Sequence, residues 1–254
     1  MKAILLGTGT SQGVPVIGCS CNVCRSSDPR DKRLRTSAMI SDGITNILID
    51  CGPDLRQQML TNQVSSLHAI LISHEHNDHI IGLDEIRPFN FSQQIVMPIW
   101  ATERVKTELY ARFHFAFAEE SYPGAPRARV EPLMKNKYIK IGNIEILPIE
   151  ASHGFMPVMG FRIGDFTYLT DVKTIHQDQL NLVLGSKILI INALRREEHH
   201  SHLNLQEALD IIEQVQPQQA YLTHISHHLG LASVLNKQLP YNVRLAYDNQ
   251  EIHW

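Results

Sequence analysis

No run of apolar residues in this chain approaches the roughly 18 that a membrane-spanning helix needs, so none is expected. The opening Met1-Lys-Ala-Ile-Leu-Leu-Gly-Thr-Gly has too short an apolar stretch for a secretory signal. It reads as a first strand, and the expected compartment is cytoplasmic. An excess of either charge is also missing. The 23 basic side chains face 26 acidic ones, a net of −3, which argues against a broad basic face for non-specific nucleic-acid binding. Repeats and low-complexity tracts are absent, and 43% hydrophobic with 19% charged residues is an ordinary globular balance. A chain of 254 residues buries roughly 70–75% of the surface its unfolded form exposes, so it needs no covalent staple. We expect one domain over 1–254.

Cysteine is scarce as well. Of four, three crowd into Cys19-Ser-Cys21-Asn-Val-Cys24. In a chain without a secretory signal this spacing favours metal over a disulfide framework. Three thiolates can fill three corners of a tetrahedral Zn²⁺ and leave the fourth to be supplied from elsewhere. Pro15 and Gly18 fit a tight, exposed zinc-binding loop over about 15–30. Inert buried thiols are the plain alternative.

Histidine, by contrast, is plentiful. Of 14, nine fall in three groups: His74, His76, His79; His199, His200, His202; and His224, His227, His228. Imidazole is the commonest metal ligand, so the clustering is more telling than the abundance.

Short β-rich runs lie at Ile4–Leu6, Ile44–Asp50, Ala69–Ile72, Ile95–Trp100, Ile144–Ile149, Thr167–Thr170, Ile188–Ile191 and Ala220–Thr223. Asp42-Gly43, Gly142-Asn143 and Gly164-Asp165 have the residues of hairpin turns. Thr102 and Asn204 read as helix caps, the second before a helix with Leu205, Leu209, Ile212 and Val215 on one face. Sheets packed together with helices outside are expected. Residues 89–132, with their aromatics and a Pro/Gly patch, read as an irregular insertion or lid beside the active site.

The strongest motif is Ser73-His74-Glu75-His76-Asn77-Asp78-His79, directly after an apolar strand. A strand ending in a polar loop delivers ligands to a sheet edge that is open to solvent. His74 and His76 can face one cation, and Asp78 and His79 a second. A solvated histidine-rich loop is the rival reading. Glu75 and Asn77 are expected to shape the loop and face away.

This His-x-His-x-Asp-His motif resembles that of the metallo-β-lactamase superfamily. The resemblance implies an α/β (α+β) fold, a four-layer αββα sandwich, with a dinuclear metal centre. Later strand ends supply matching residues in Ala151-Ser-His153-Gly, Tyr168-Leu-Thr-Asp171 and Tyr221-Leu-Thr-His224. Carried over, His74, His76 and His153 hold one divalent ion, Asp78, His79 and His224 the other, and Asp171 bridges them. Zn, Mn or Fe suits such a set. Asp50 matches the family's early structural carboxylate.

Gly7-Thr-Gly9-Thr-Ser-Gln-Gly13-Val-Pro15 followed by the cysteines resembles the subgroup of the phosphoribosyl cyclic phosphate phosphodiesterase of phosphonate breakdown. There the fourth ligand of one structural zinc is a histidine three residues beyond the last active-site histidine, here His227, with Cys51 as its competitor. Related phosphodiesterases also place a general-acid histidine just before a helix cap, which His202 matches and His200 can replace. The function implied is hydrolysis of a small, cyclic or nucleotide phosphate ester by a hydroxide bridging two metals. An RNA-processing endonuclease of the same fold and a non-catalytic zinc-binding protein are the alternatives. Membrane association is not expected, and a homodimer is the expected assembly.

Overall fold

A computed structural model describes residues 1–120 and 122–254. The strands in chain order are β1 (Lys2–Gly7), β2 (Ser37–Ser41), β3 (Asn46–Ile49), β4 (Ala69–Leu71), β5 (Met97–Ala101), β6 (Ala128–Pro132) and β7 (Ile139–Ile141). They continue with β8 (Ile144–His153), β9 (Met156–Ile163), β10 (Phe166–Leu169), β11 (Ile188–Asn192), β12 (Gln219–Thr223), β13 (Val243–Leu245) and β14 (Gln250–His253). Two seven-stranded sheets result, ordered β14-β1-β2-β3-β4-β5-β6 and β13-β12-β11-β10-β9-β8-β7. Each pairs antiparallel over one half and parallel over the other, with β3 to β6 parallel in the first and β10 to β13 in the second.

Apolar side chains on both faces of the strands build three layers of core. On β3, Ile47 and Ile49 point between the sheets with Phe161 and Tyr168 of the second sheet. Leu48 points the other way, towards Leu55 and Met59 of α1 (Leu55–Thr61) and, further along, Phe89 of α3 (Arg87–Gln93) and Val105 and Leu109 of α4 (Glu103–Arg112). The helix between α1 and α3 is the short α2 (Asn77–Ile80), and α5 (His114–Phe117) follows α4. On the far side, Leu189 and Ile191 of β11 meet α6 (Gln177–Val183), α7 (Leu205–Val215) and α8 (Ala232–Leu235). This is a four-layer αββα sandwich. Side chains alternate faces along a strand, and with both faces covered the central strands read as continuous apolar runs.

All eight strands expected from the sequence are present, and the three expected turns join β2–β3, β7–β8 and β9–β10. Residues 89–132 differ from the irregular insertion that was expected. They contain β5 and β6, which extend the parallel half of the first sheet, together with helices that cover it. The strand β9 was not anticipated, because Pro157 and Gly160 interrupt its pattern. Among the described residues, no helix is long and apolar enough to cross a membrane.

Candidate metal centre

The ends of β3, β4, β8, β10 and β12 converge on one edge of the sandwich. Asp50, Asp171 and His224 each stand just beyond a strand, with φ of 60°, 57° and 53°. Non-glycine residues seldom adopt such angles, and each costs of order 1–3 kcal/mol. Here the kink ends the strand and turns the side chain inward.

Three groups form. The ligand atoms of His74, His76 and His153 lie within 4.8 Å of one another, as do those of Asp78, His79, Asp171 and His224. His153, Asp171 and His202 make a third group under the same limit. Asp171 joins them. Its Oδ1 lies 2.9 Å from His224 Nδ1 and 3.4 Å from His79 Nε2, while Oδ2 lies 3.8 Å from His74 Nε2. Although these atoms are close, His79 Nε2 and His224 Nδ1 are buried without a hydrogen-bond partner. Nitrogen and carboxylate lone pairs aimed at a common point rather than at each other fit cations between them. The residues present therefore suit the divalent metals that the fold implies.

A second layer orients the imidazoles. Asp50, wholly buried, accepts from His79 Nδ1 at 2.7 Å and from the Ser73 amide and hydroxyl, each at 2.7 Å. His153 Nδ1 donates to the Ser201 carbonyl at 2.7 Å. Each bond fixes a tautomer and leaves Nε2 free for the cluster. The Asp50-Cys51-Gly52 turn also presses on α2, with the Cys51 amide donating to the His79 carbonyl at 2.7 Å. A side chain at Gly52 would collide with the Asp78 carbonyl oxygen.

Protonation follows from the same crowding. Burial pushes His74 well below the usual imidazole range. Burial acts likewise on His79, but the carboxylates of Asp171, Asp78 and Asp50 outweigh it and hold its pKa well above that range. Asp78 and Asp171 stay far below the ordinary carboxylate range despite burial, because imidazoles surround them. A field that retains a proton on a fully buried histidine is one that attracts a cation.

Cys19, Cys21 and Cys24 place Sγ 3.3, 3.4 and 3.5 Å from His227 Nδ1. The four form a compact group that can hold a tetrahedral ion with no corner left open. Cys51 lies elsewhere, buried with its Sγ near the Ile80 carbonyl, so His227 and not Cys51 completes the cluster. Only Ile225 and Ser226 separate His227 from His224, and the Ile225 amide donates to the Thr8 carbonyl, tying this loop to β1.

His202 and His200 part company. The His202 ring stacks against His224, with centroids 4.9 Å apart, and meets His153 at 4.4 Å. Its Nδ1 is 3.9 Å from Asp171 Oδ2. His200 is exposed and lines a neighbouring cavity. Glu75 and Asn77 face away from the clusters, but towards specific partners. Glu75 accepts from Arg104 Nε at 2.5 Å and Asn77 from Arg112 Nη1 at 2.8 Å. No periodicity or spacing pointed to Arg104.

A family model described as a beta-lactamase superfamily domain matches residues 45–225. A curated relative, an octanoyltransferase of Porphyromonas gingivalis, is 38% identical over 253 residues, 99% of this chain and 51% of that protein. The chain spans about half or less of the length of the curated relatives it matches. A crystal structure described as a new diphosphatase from the PhnP family superposes with a TM-score of 0.93 at 34% identity, covering 100% of this chain and 97% of that one. Zn(2+)-bound PqqB from Methylobacterium extorquens shares the fold, with a TM-score of 0.81 at 16% identity over the whole of both chains.

Proposed function

This chain belongs to the beta-lactamase superfamily, as a metal-dependent hydrolase of the PhnP type, and from that premise we propose that it is a phosphodiesterase acting on a small phosphate ester. The observation that carries the reading is Asp171, whose two oxygens face different histidine groups. His74, His76 and His153 would hold one ion, Asp78, His79 and His224 the other, and Asp171 both. Zn, Mn and Fe all suit imidazole and carboxylate. Cys19, Cys21, Cys24 and His227 would hold a structural zinc. Divalent cations held at the first two sites would supply positive charge to a phosphate oxygen and would lower the pKa of water from about 15.7 towards about 7.

The chain's own groups do the rest. His74 and His79 are fully buried and locked by hydrogen bonds, so the site is organised before a substrate arrives. His202 stands at the rim of both groups and delivers a proton to the leaving oxygen, a contribution of about 10²–10⁴-fold. It lies against Asp171 and His153, whereas His200 is exposed and packs on His199, away from both groups, which favours His202 for this role.

The basic residues near the site argue for a small substrate over RNA. Between residues 101 and 140, five of the eight basic side chains, Arg104, Lys106, Arg112, Arg129 and Lys135, are each paired with a carboxylate, which lowers the charge this segment offers to a polyanion. RNA binding through several phosphates would make affinity fall steeply with salt. Bis(p-nitrophenyl) phosphate, assayed with Mn²⁺, Zn²⁺ or a chelator, tests the proposal, with an octanoyl thioester as the competing substrate. Metal-dependent release of p-nitrophenol is expected. No turnover in any condition would leave a metal-binding protein, and turnover of the thioester alone would move the reading to acyl chemistry.

A further inference from the structure

The histidines of the two histidine groups are not equally supported. Asp50 holds His79 from behind, and the Ser201 carbonyl holds His153. His76 has no such partner. It is exposed, and its hydrogen-bond contact among the described residues lies inside the cluster, with His74 Nε2 at 3.1 Å from its Nδ1. Its place is therefore set by the backbone that carries it.

The fixed point of that backbone is Glu75, which stands between His74 and His76 with 6% of its surface exposed. Every hydrogen bond it makes among the described residues comes from α4. In the first turn of that helix, Arg104 Nε donates to Glu75 Oε1 at 2.5 Å. In the last turn, Arg112 Nη1 donates to the Glu75 carbonyl at 3.1 Å and to Asn77 Oδ1 at 2.8 Å. Eight residues separate the two arginines, about 12 Å along the axis, so both ends of the helix hold one loop. The helix is itself anchored, capped by Thr102 and packed through Val105 and Leu109 into the core. Glu75 Oε2 is buried without a partner, which leaves Arg104 as the counter-charge of a carboxylate taken out of water. Removing one member of such a pair is costly, because the other stays behind as an uncompensated charge.

We propose that Arg104 and Arg112 are positioning residues that clamp the metal-binding loop through Glu75. The ion that His74, His76 and His153 would hold depends on this clamp, and the ions at the other two sites do not. This rests on the two-metal reading above. The sign of the effect separates a clamp from a field. Arg104 lines one cavity with His76 and His153, so by charge alone it repels a cation there, and its removal would tighten ion binding. A clamp requires the reverse, because an unpaired Glu75 carboxylate moves out to water and takes the loop with it.

Zinc content, measured after dialysis of the full chain against buffered free Zn²⁺, tests this without reference to activity. The wild type should fill to about three ions per chain. Arg104→Ala should need about tenfold more free Zn²⁺ to take up its weakest ion, and Arg112→Ala should shift in the same direction. Glu75→Gln keeps an oxygen for Arg104 and buries no charge, so it should bind nearly as the wild type does. Combining Glu75→Gln with Arg104→Ala should recover most of the lost affinity, since no buried charge is then left alone. Unchanged or tighter binding in Arg104→Ala, or no recovery in the double variant, overturns the clamp and leaves the two-metal reading standing. Loss of the thiolate-held ion in both arginine variants also overturns it, because α4 would then support the whole fold rather than this loop. A wild type that takes up only the thiolate-held ion fails the earlier reading, and the clamp with it.

Discussion

Asp171 sits where the two histidine groups meet, buried, with a left-handed backbone and an oxygen turned to each side. Around it the residue scale was largely legible in the sequence. His74, His76, Asp78 and His79 stand within six positions, and short spacing on a loop after a strand forces proximity. His153, Asp171 and His224 are far apart along the chain. Only the matching order of strand ends in related proteins could join them to the first group. Arg104 was not legible, because a cation at the start of a helix is an ordinary feature until folding sets it against Glu75. His202 has a sharp test at this scale. A general acid matters most for a poor leaving group, so His202→Ala should lower kcat by about 10²–10⁴-fold on an alkyl diester and much less on a p-nitrophenyl ester. Equal losses on both, or a larger loss in His200→Ala, would assign the proton elsewhere.

At the scale of elements, strands that end in inward-turned residues position the site, and short contacts hold their loops. Gly52 shows how tight this is. Its backbone lies against the Asp78 carbonyl and Gly82 packs in turn on Gly52, leaving no room for a methyl group on either. Gly52→Ala should displace α2 and with it Asp78 and His79. The expected result is loss of active-site metal and turnover while the thiolate-held ion stays, as measured by metal content and activity on one preparation. The helix α7 carries a full capping box, with the Asn204 side chain accepting from the Glu207 amide and Glu207 accepting from the Asn204 amide. Asn204→Ala should cost about 1 kcal/mol in chemical denaturation. A cost near zero would mean that packing of Ala208, Ile212 and Val215 alone fixes the helix. The cap was readable from sequence because it is local. The strand β9 and the three-residue β13 were not, since their partners rather than their own residues decide them.

Across the whole molecule, the two sheets repeat one plan, an antiparallel half running into a parallel half. In open sheets, ligands gather outside the carboxyl ends of parallel strands. Here two such sets of ends face the same edge, β3 and β4 from one sheet and β10 and β12 from the other. The cysteine loop closes the same edge, since His227, which groups with the three thiols, follows His224 by three residues and thereby couples them to the second histidine group. The order of hairpins and helices suggested the layers, but not the meeting of the two edges, which depends on contacts between residues far apart along the chain. The most direct test is the metal content of freshly purified, unchelated protein and of its Asp171→Ala variant, compared by elemental analysis. About three ions per chain in the first and about one, retained by the cysteines, in the second would bear out a carboxylate shared between two cations. A single ion in the wild type, or an undiminished count in the variant, would contradict it.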